Sequence, residues 1–114
     1  MASPFYRTTK SSLSTADVTV SAATNILTVT AGSTAVLIGV LISNKTASSA
    51  LANVYLSAGA GDSVFLIKNG PVPAGSSLEL VSGNKIVLNG SDVLRASSDT
   101  ASALDITLSY LIQT

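Results

Sequence analysis

The chain has 114 residues, six basic and six acidic side chains, and no His, Cys or Trp. Those counts remove His-dependent nucleophile systems, neutral-pH imidazole chemistry and the usual zinc, haem and iron–sulfur sites, so no catalytic residue, metal ligand or cofactor is expected. Ser, Thr and Ala supply 46 of the 114 residues, and at this length one domain with a modest core is the default.

In chain order, residues 1–16 stand apart. Thr8 to Thr15 is polar and has no apolar period, so it cannot bury itself. Ahead of it lie Phe5, Tyr6 and Arg7. Aromatic and Arg side chains on an otherwise unstructured segment suit anchoring in a partner's groove, and the plain alternative is a frayed terminus. The sequence is therefore read as an extended N-terminal arm over 1–16 and a β-sandwich domain over 17–114.

From Asp17 the period is two. Val18, Val20 and Ala22 alternate with Thr19 and Ser21, and Asn25 to Thr30 makes the next strand. Ala35 to Ile42 is apolar on both faces, which predicts a central strand, and Gly39 marks a bulge or a close backbone approach. Strands follow over Ala50–Ser57 and Ser63–Lys68, separated by a Gly-rich turn. Asn69-Gly-Pro-Val-Pro-Ala-Gly75 is the strongest breaker. Leu78–Val81, a turn at Ser82-Gly83-Asn84 and Lys85–Leu88 come next. Asn89-Gly90 then predicts a hairpin into Asp92–Ser97. The last strand, Leu104–Ile112, puts Ile106, Leu108, Tyr110 and Ile112 on one face.

Eight or nine short strands at this spacing, without a helical stripe, predict an all-β fold. A single antiparallel, jelly-roll-like β-sandwich of about eight strands is the preferred architecture.

The remaining motifs are weak. Asn44-Lys-Thr46 and Asn89-Gly-Ser91 match a glycosylation acceptor by chance in so Ser/Thr-rich a chain. Gly59-Ala-Gly61 precedes a strand and reads as a turn. The loop acids lack the dense spacing of a Ca²⁺ loop. Six scattered cations form no patch for nucleic acid, and the longest apolar run is too short to span a bilayer. Neither partner is expected, and synthesis in a cytoplasm without a secretory signal is.

The two-sided strands carry more. A sandwich of this size buries one face of each sheet, so the outer faces of Ala35–Ile42 and Val64–Ile67 need cover from the arm, a loop or another subunit. Oligomerisation is preferred, with Leu37, Val40, Ile42, Phe65 and Ile67 as the candidate face.

The order of segments also carries a likeness. Phe5-Tyr-Arg-Thr-Thr9 is followed by Thr28-Val-Thr-Ala-Gly-Ser-Thr-Ala-Val36 and an apolar strand ending in Ser43-Asn44. Then come Val72-Pro-Ala-Gly-Ser-Ser-Leu-Glu-Leu80, Lys85-Ile-Val-Leu-Asn-Gly-Ser-Asp-Val-Leu-Arg95 and Ala103-Leu-Asp105. Over nearly its whole length the chain resembles the small all-β virion proteins of tailed bacteriophages, especially those of cyanobacterial and other aquatic hosts. It departs from their pattern at the first turn. A Tyr-Thr-Val-Pro-Ala-Gly strand is usual there, but Thr30 replaces the Pro and Ile26 or Leu27 the Tyr, which leaves the turn less rigid.

The resemblance implies a capsid decoration, or cement, protein on the virion surface. It would be a homotrimer, bound to the major capsid protein and doing no chemistry. The alternative it implies is a tail, neck or fibre module, whose loops 44–49 and 69–75 would meet a host receptor or glycan, with Tyr55 as the mid-chain aromatic.

Overall fold

Alternation of small, β-branched and apolar residues builds nine strands among the described residues: β1 (Phe5–Lys10), β2 (Asn25–Thr28), β3 (Thr34–Asn44), β4 (Ala50–Ser57), β5 (Val64–Val72), β6 (Ser77–Glu79), β7 (Ile86–Leu88), β8 (Val93–Ser98) and β9 (Leu104–Gln113). The computed structural model describes residues 5–81 and 85–113, so the turn expected at Ser82–Asn84 and the first residues of the arm lie outside the described residues.

The antiparallel pairs are nested. β1 lies beside β9, β2 beside β8, β3 beside both β6 and β7, and β4 beside β5. This is one long hairpin folded at the 58–63 loop. Rolling it up adds β3 against β9 and β4 against β8. Two sheets result, β1-β9-β3-β6 with β7 also on β3, and β2-β8-β4-β5. β6 and β7 share one lane, on Leu41–Ser43 and Ala35–Leu37 of β3, so nine strands fill the eight positions of a jelly-roll-like sandwich.

The inner faces meet in a core of fully buried Leu37, Val40, Ile42, Leu108, Leu94 and Val54. Burying each such side chain contributes about 1.5–3 kcal/mol. A strict period of two cannot put Leu37 and Val40 on one face. The register of β3 against β9 slips between Leu37 and Gly39, so Ala35 and Leu37 face inward before the bulge, and Val40 and Ile42 after it.

Four expectations are corrected. The arm is not free across its described residues: Phe5–Lys10 is the edge strand of the first sheet, and Leu13 is buried, with its N–H donating to Leu104 O at 2.8 Å. Residues 5–16 are thus built into the sandwich, and no domain boundary falls at 16/17.

Val18–Ala22 is not a strand. The Asp17 carboxylate accepts from Thr19 N at 2.8 Å and Thr19 Oγ1 at 2.7 Å, while Asp17 O accepts from Ser21 N. This local side-chain turn wins over strand pairing, and it buries Val18 while leaving Val20 exposed.

β5 does not stop at Lys68. It continues through Asn69-Gly-Pro71 to Val72, because an edge strand tolerates proline and Asn69 takes a positive φ of 55°.

Asn89-Gly90 closes no hairpin: β7 belongs to the first sheet and β8 to the second, so the turn carries the chain between them. Gly90 is needed for a different reason. A Cβ there would lie 3.0 Å from Gly32 N and 3.2 Å from Thr30 O, in the neighbouring turn. Asp92, 4% exposed, fixes this crossing by accepting from Asn89 N and Gly59 N, both at 2.9 Å.

Candidate interaction surfaces

The outer face of the first sheet carries one apolar row among polar neighbours: Arg7, Thr9, Thr107 and Ser109 point the same way as Phe5 and Leu111. Cross-strand register aligns Phe5 (β1), Leu111 (β9), Val36 (β3) and Val87 (β7) in one row. Three inter-strand spacings make that row about 14 Å wide. Phe5 is 63% exposed and Val87 53%, and Ile38 and Leu41 extend the patch along β3. Arg7 sits on the β1 edge of this face and Glu79 on the opposite edge, beside Leu41. Toward the far end, Lys45 Nζ pairs with Asp105 Oδ1 at 2.9 Å, half exposed to solvent. The Ser12 amide, then Lys45, holds the Asp105 carboxyl below the usual range.

The residues expected to form an oligomer face divide between places. Leu37, Val40 and Ile42 do share a face, but it is the inner one, and each is fully buried. They are removed from the candidate face, because the bulge at Gly39 turns them all onto the second sheet. Their outward counterparts are Val36, Ile38 and Leu41. Phe65 and Ile67 lie on β5 of the other sheet, Phe65 partly exposed and Ile67 half-buried over Gly70 and against the core.

The aromatic arm divides by alternation. Phe5 and Arg7 face outward. Tyr6 packs on Tyr110 with ring centroids 5.8 Å apart, and Thr8 Oγ1 lies 2.9 Å from the Tyr110 hydroxyl. The outward set could have been found from the terminal strand: Leu111 must oppose the face that carries Tyr110.

The outer face of the second sheet is polar and grooved. Register aligns Asn25, Arg95, Tyr55 and Phe65 across its four strands. Arg95 Nε donates to Asn25 Oδ1 at 2.9 Å and Nη1 to Val18 O at 3.2 Å, which ties the 14–18 segment down beside β8. Tyr55 meets Phe65 edge-on with centroids 4.9 Å apart, and Lys68 Nζ stands 5.2 Å from the Phe65 ring centre.

Next to this row the small side chains of Ser97 and Asn53 form the floor of an open groove of about 430 Å³. Asp17 and its turn stand on one side, Phe65 and Lys68 also line it, and Asp99 adds a second carboxylate. The Thr19 hydroxyl and amide hold the Asp17 carboxyl below its ordinary value, with Lys68 helping. Of the two loops expected to meet a glycan, 69–75 supplies Asn69 and 44–49 supplies nothing.

Asn44 has a structural role instead. It is 3% exposed, Nδ2 donates to Ser48 O and Val72 O, and Oδ1 accepts from Thr46 N and Oγ1. Among the described residues, every buried side-chain nitrogen and oxygen has a partner.

No family model matches the chain, and no curated protein matches it at a significant level.

Proposed function

We propose that this chain is a structural subunit of a tailed-bacteriophage virion, a capsid decoration protein that joins copies of itself and the major capsid protein on the head surface. The observation that carries the reading is the exposed apolar row on the outer face of the first sheet, Phe5–Leu111–Val36–Val87, with Ile38 and Leu41 beside it. The likeness to small all-β virion proteins over nearly the whole chain supports it.

The proposed occupant of the face is a second copy of the chain. In a closed ring of three, this face of each copy meets a different surface of the next copy, so the contacts are heterologous. In the decoration role the copies form a homotrimer, and the trimer binds the assembled lattice rather than its free parts, which stabilises the shell by mass action. The chain does no chemistry in this reading.

Two measurements test it. Solution mass should be that of a trimer, falling to the monomer in Val87→Lys. Virions should carry hundreds of copies on the head. A monomeric wild-type chain overturns the self-association, and a handful of copies located on the tail overturns the decoration role.

A further inference from the structure

We infer that the groove on the outer face of the second sheet is a binding site for a neutral saccharide unit. The inference does not rest on the virion reading; it comes from a different face and different residues.

The size is right: about 430 Å³ lies within the span of small-ligand sites, roughly 300–1,000 Å³. An open groove also admits one unit of a longer chain.

The aromatic surface is fixed before any ligand arrives. Phe65 is 37% exposed, its ring held edge-on by Tyr55, and Lys68 Nζ stands over the ring 5.2 Å from its centre. A held ring offers an apolar surface to the C–H face of a pyranose at little entropic cost.

The polar groups complement hydroxyls. Asn53 Oδ1 is taken by Asn69 N at 2.8 Å, so the carboxamide's remaining capacity is its NH₂, whose bond to Ser97 Oγ is long at 3.3 Å. The floor therefore presents a donor with hydrogens to spare. The walls present acceptors. The protein donors on Asp17 and on Asp99 all fall on Oδ1: Thr19 on the first, Leu51 N and Thr100 Oγ1 on the second. Oδ2 of each carboxylate meets no protein donor among the described residues. A ligand carrying many hydroxyls can donate to the carboxylates and accept from Asn53 and Lys68 at once.

Charge narrows the class further. Two carboxylates against one lysine disfavour phosphate, uronic acid or sialic acid, and Lys68 disfavours a simple cation. An uncharged polyol with one apolar face fits all of these groups together.

The test is a titration of the isotopically labelled full chain, followed by backbone amide shifts. The probes are methyl α-glucoside, methyl α-mannoside, methyl β-galactoside and N-acetylglucosamine, with sialic acid as the anionic arm. Saturable shifts at Thr19, Lys68 and Asn69 with at least one neutral sugar are expected. Phe65→Ala should weaken that affinity about tenfold or more, while Phe65→Tyr, which keeps the ring, should hold it within a few-fold. Amide dispersion confirms that each variant is folded, and Lys68→Ala gives a second loss on a side chain with no core contact. The inference is overturned if no neutral sugar gives saturable shifts, if the shifts survive Phe65→Ala and Lys68→Ala undiminished, or if only sialic acid binds.

Discussion

The two outer faces of the sandwich come from one rolled hairpin but differ in kind. On the first sheet, one outward row across four adjacent strands is Phe5, Leu111, Val36 and Val87, with Arg7, Ser109, Thr9 and Thr107 in the rows beside it. On the second, the corresponding row is Asn25, Arg95, Tyr55 and Phe65, and next to it Ser97 and Asn53 sink into a groove rimmed by acids and a lysine. An exposed apolar row is suited to losing water against another protein, with the polar residues around it as a rim. A polar groove with one held aromatic ring is suited to a small ligand that brings its own hydroxyls. In the proposed roles, the same all-β scaffold places a macromolecular contact and a small-molecule contact back to back.

That contrast rests on which residues face in and which face out, and the largest expected effect tests this directly. Leu37→Ala, on the inner side of the bulge, should cost about 2–5 kcal/mol in urea unfolding, and Ile38→Ala, its outward neighbour, under about 1 kcal/mol. Equal losses would mean the bulge is misplaced.

The two faces also stay opposed only while the sheets are held together. Asp92→Ala strips two amides of their acceptor at the crossing and should cost about 2–4 kcal/mol by the same measurement, with no change in the slope against urea.

Next in size is association. Val87→Lys should weaken it by about tenfold or more while leaving monomer stability within about 0.5 kcal/mol. Thr28→Lys, on an exposed position of β2, should leave sedimentation unchanged. If both variants dissociate the oligomer, the contrast between the faces is lost.

The smallest effect is the response to acid. Asp17 and Asp105 both have carboxyls lowered in the folded protein, so the folded state binds their protons less readily than the unfolded chain. Their contribution is therefore present above the ordinary carboxylate range and is lost as pH falls through the lowered values. With no His to titrate, unfolding midpoints should be flat between about pH 7 and 5 and decline below that. Asp105→Asn should shallow the decline and shift the neutral-pH midpoint little, since the pair is half exposed.

Strands β3, β4 and β9 were legible in the sequence to within two residues at each end, because long alternating or continuous apolar runs leave few other ways to hide. Gly39 was legible as a bulge or a close backbone approach, and the bulge is what forms. Its consequence was not: counting by twos from Ala35 and from Ile42 gives opposite faces, and only the pairing with β9 fixes where the slip occurs. Asn89-Gly90 misled for a related reason, since a turn motif specifies a change of direction but not whether the next strand returns to the same sheet. Val18–Ala22 misled because the alternation there belongs to a side-chain turn on Asp17. The groove was least legible. Asp17, Asn53, Phe65, Ser97 and Asp99 are far apart in sequence, and only the roll of the hairpin brings them together.

β9 has one further consequence. It is an interior strand of the first sheet although it comes last of the nine in chain order, clasped between β1 and β3, with Phe5 opposite Leu111 and Asn44 opposite Leu104. During synthesis, the first two lanes of this sheet have nothing between them until residues 104–113 have left the ribosome. The sheet cannot be assembled piecemeal from its beginning. It closes in one late step, with loop-closure entropy to overcome over almost the whole described chain, and folding in the millisecond-to-second range of all-β sandwiches follows. Until that moment Leu37, Val40 and Ile42 lack one of the two lanes that flank β3, so a ribosome-bound chain has the most to gain from a holding chaperone just before residues 104–113 appear.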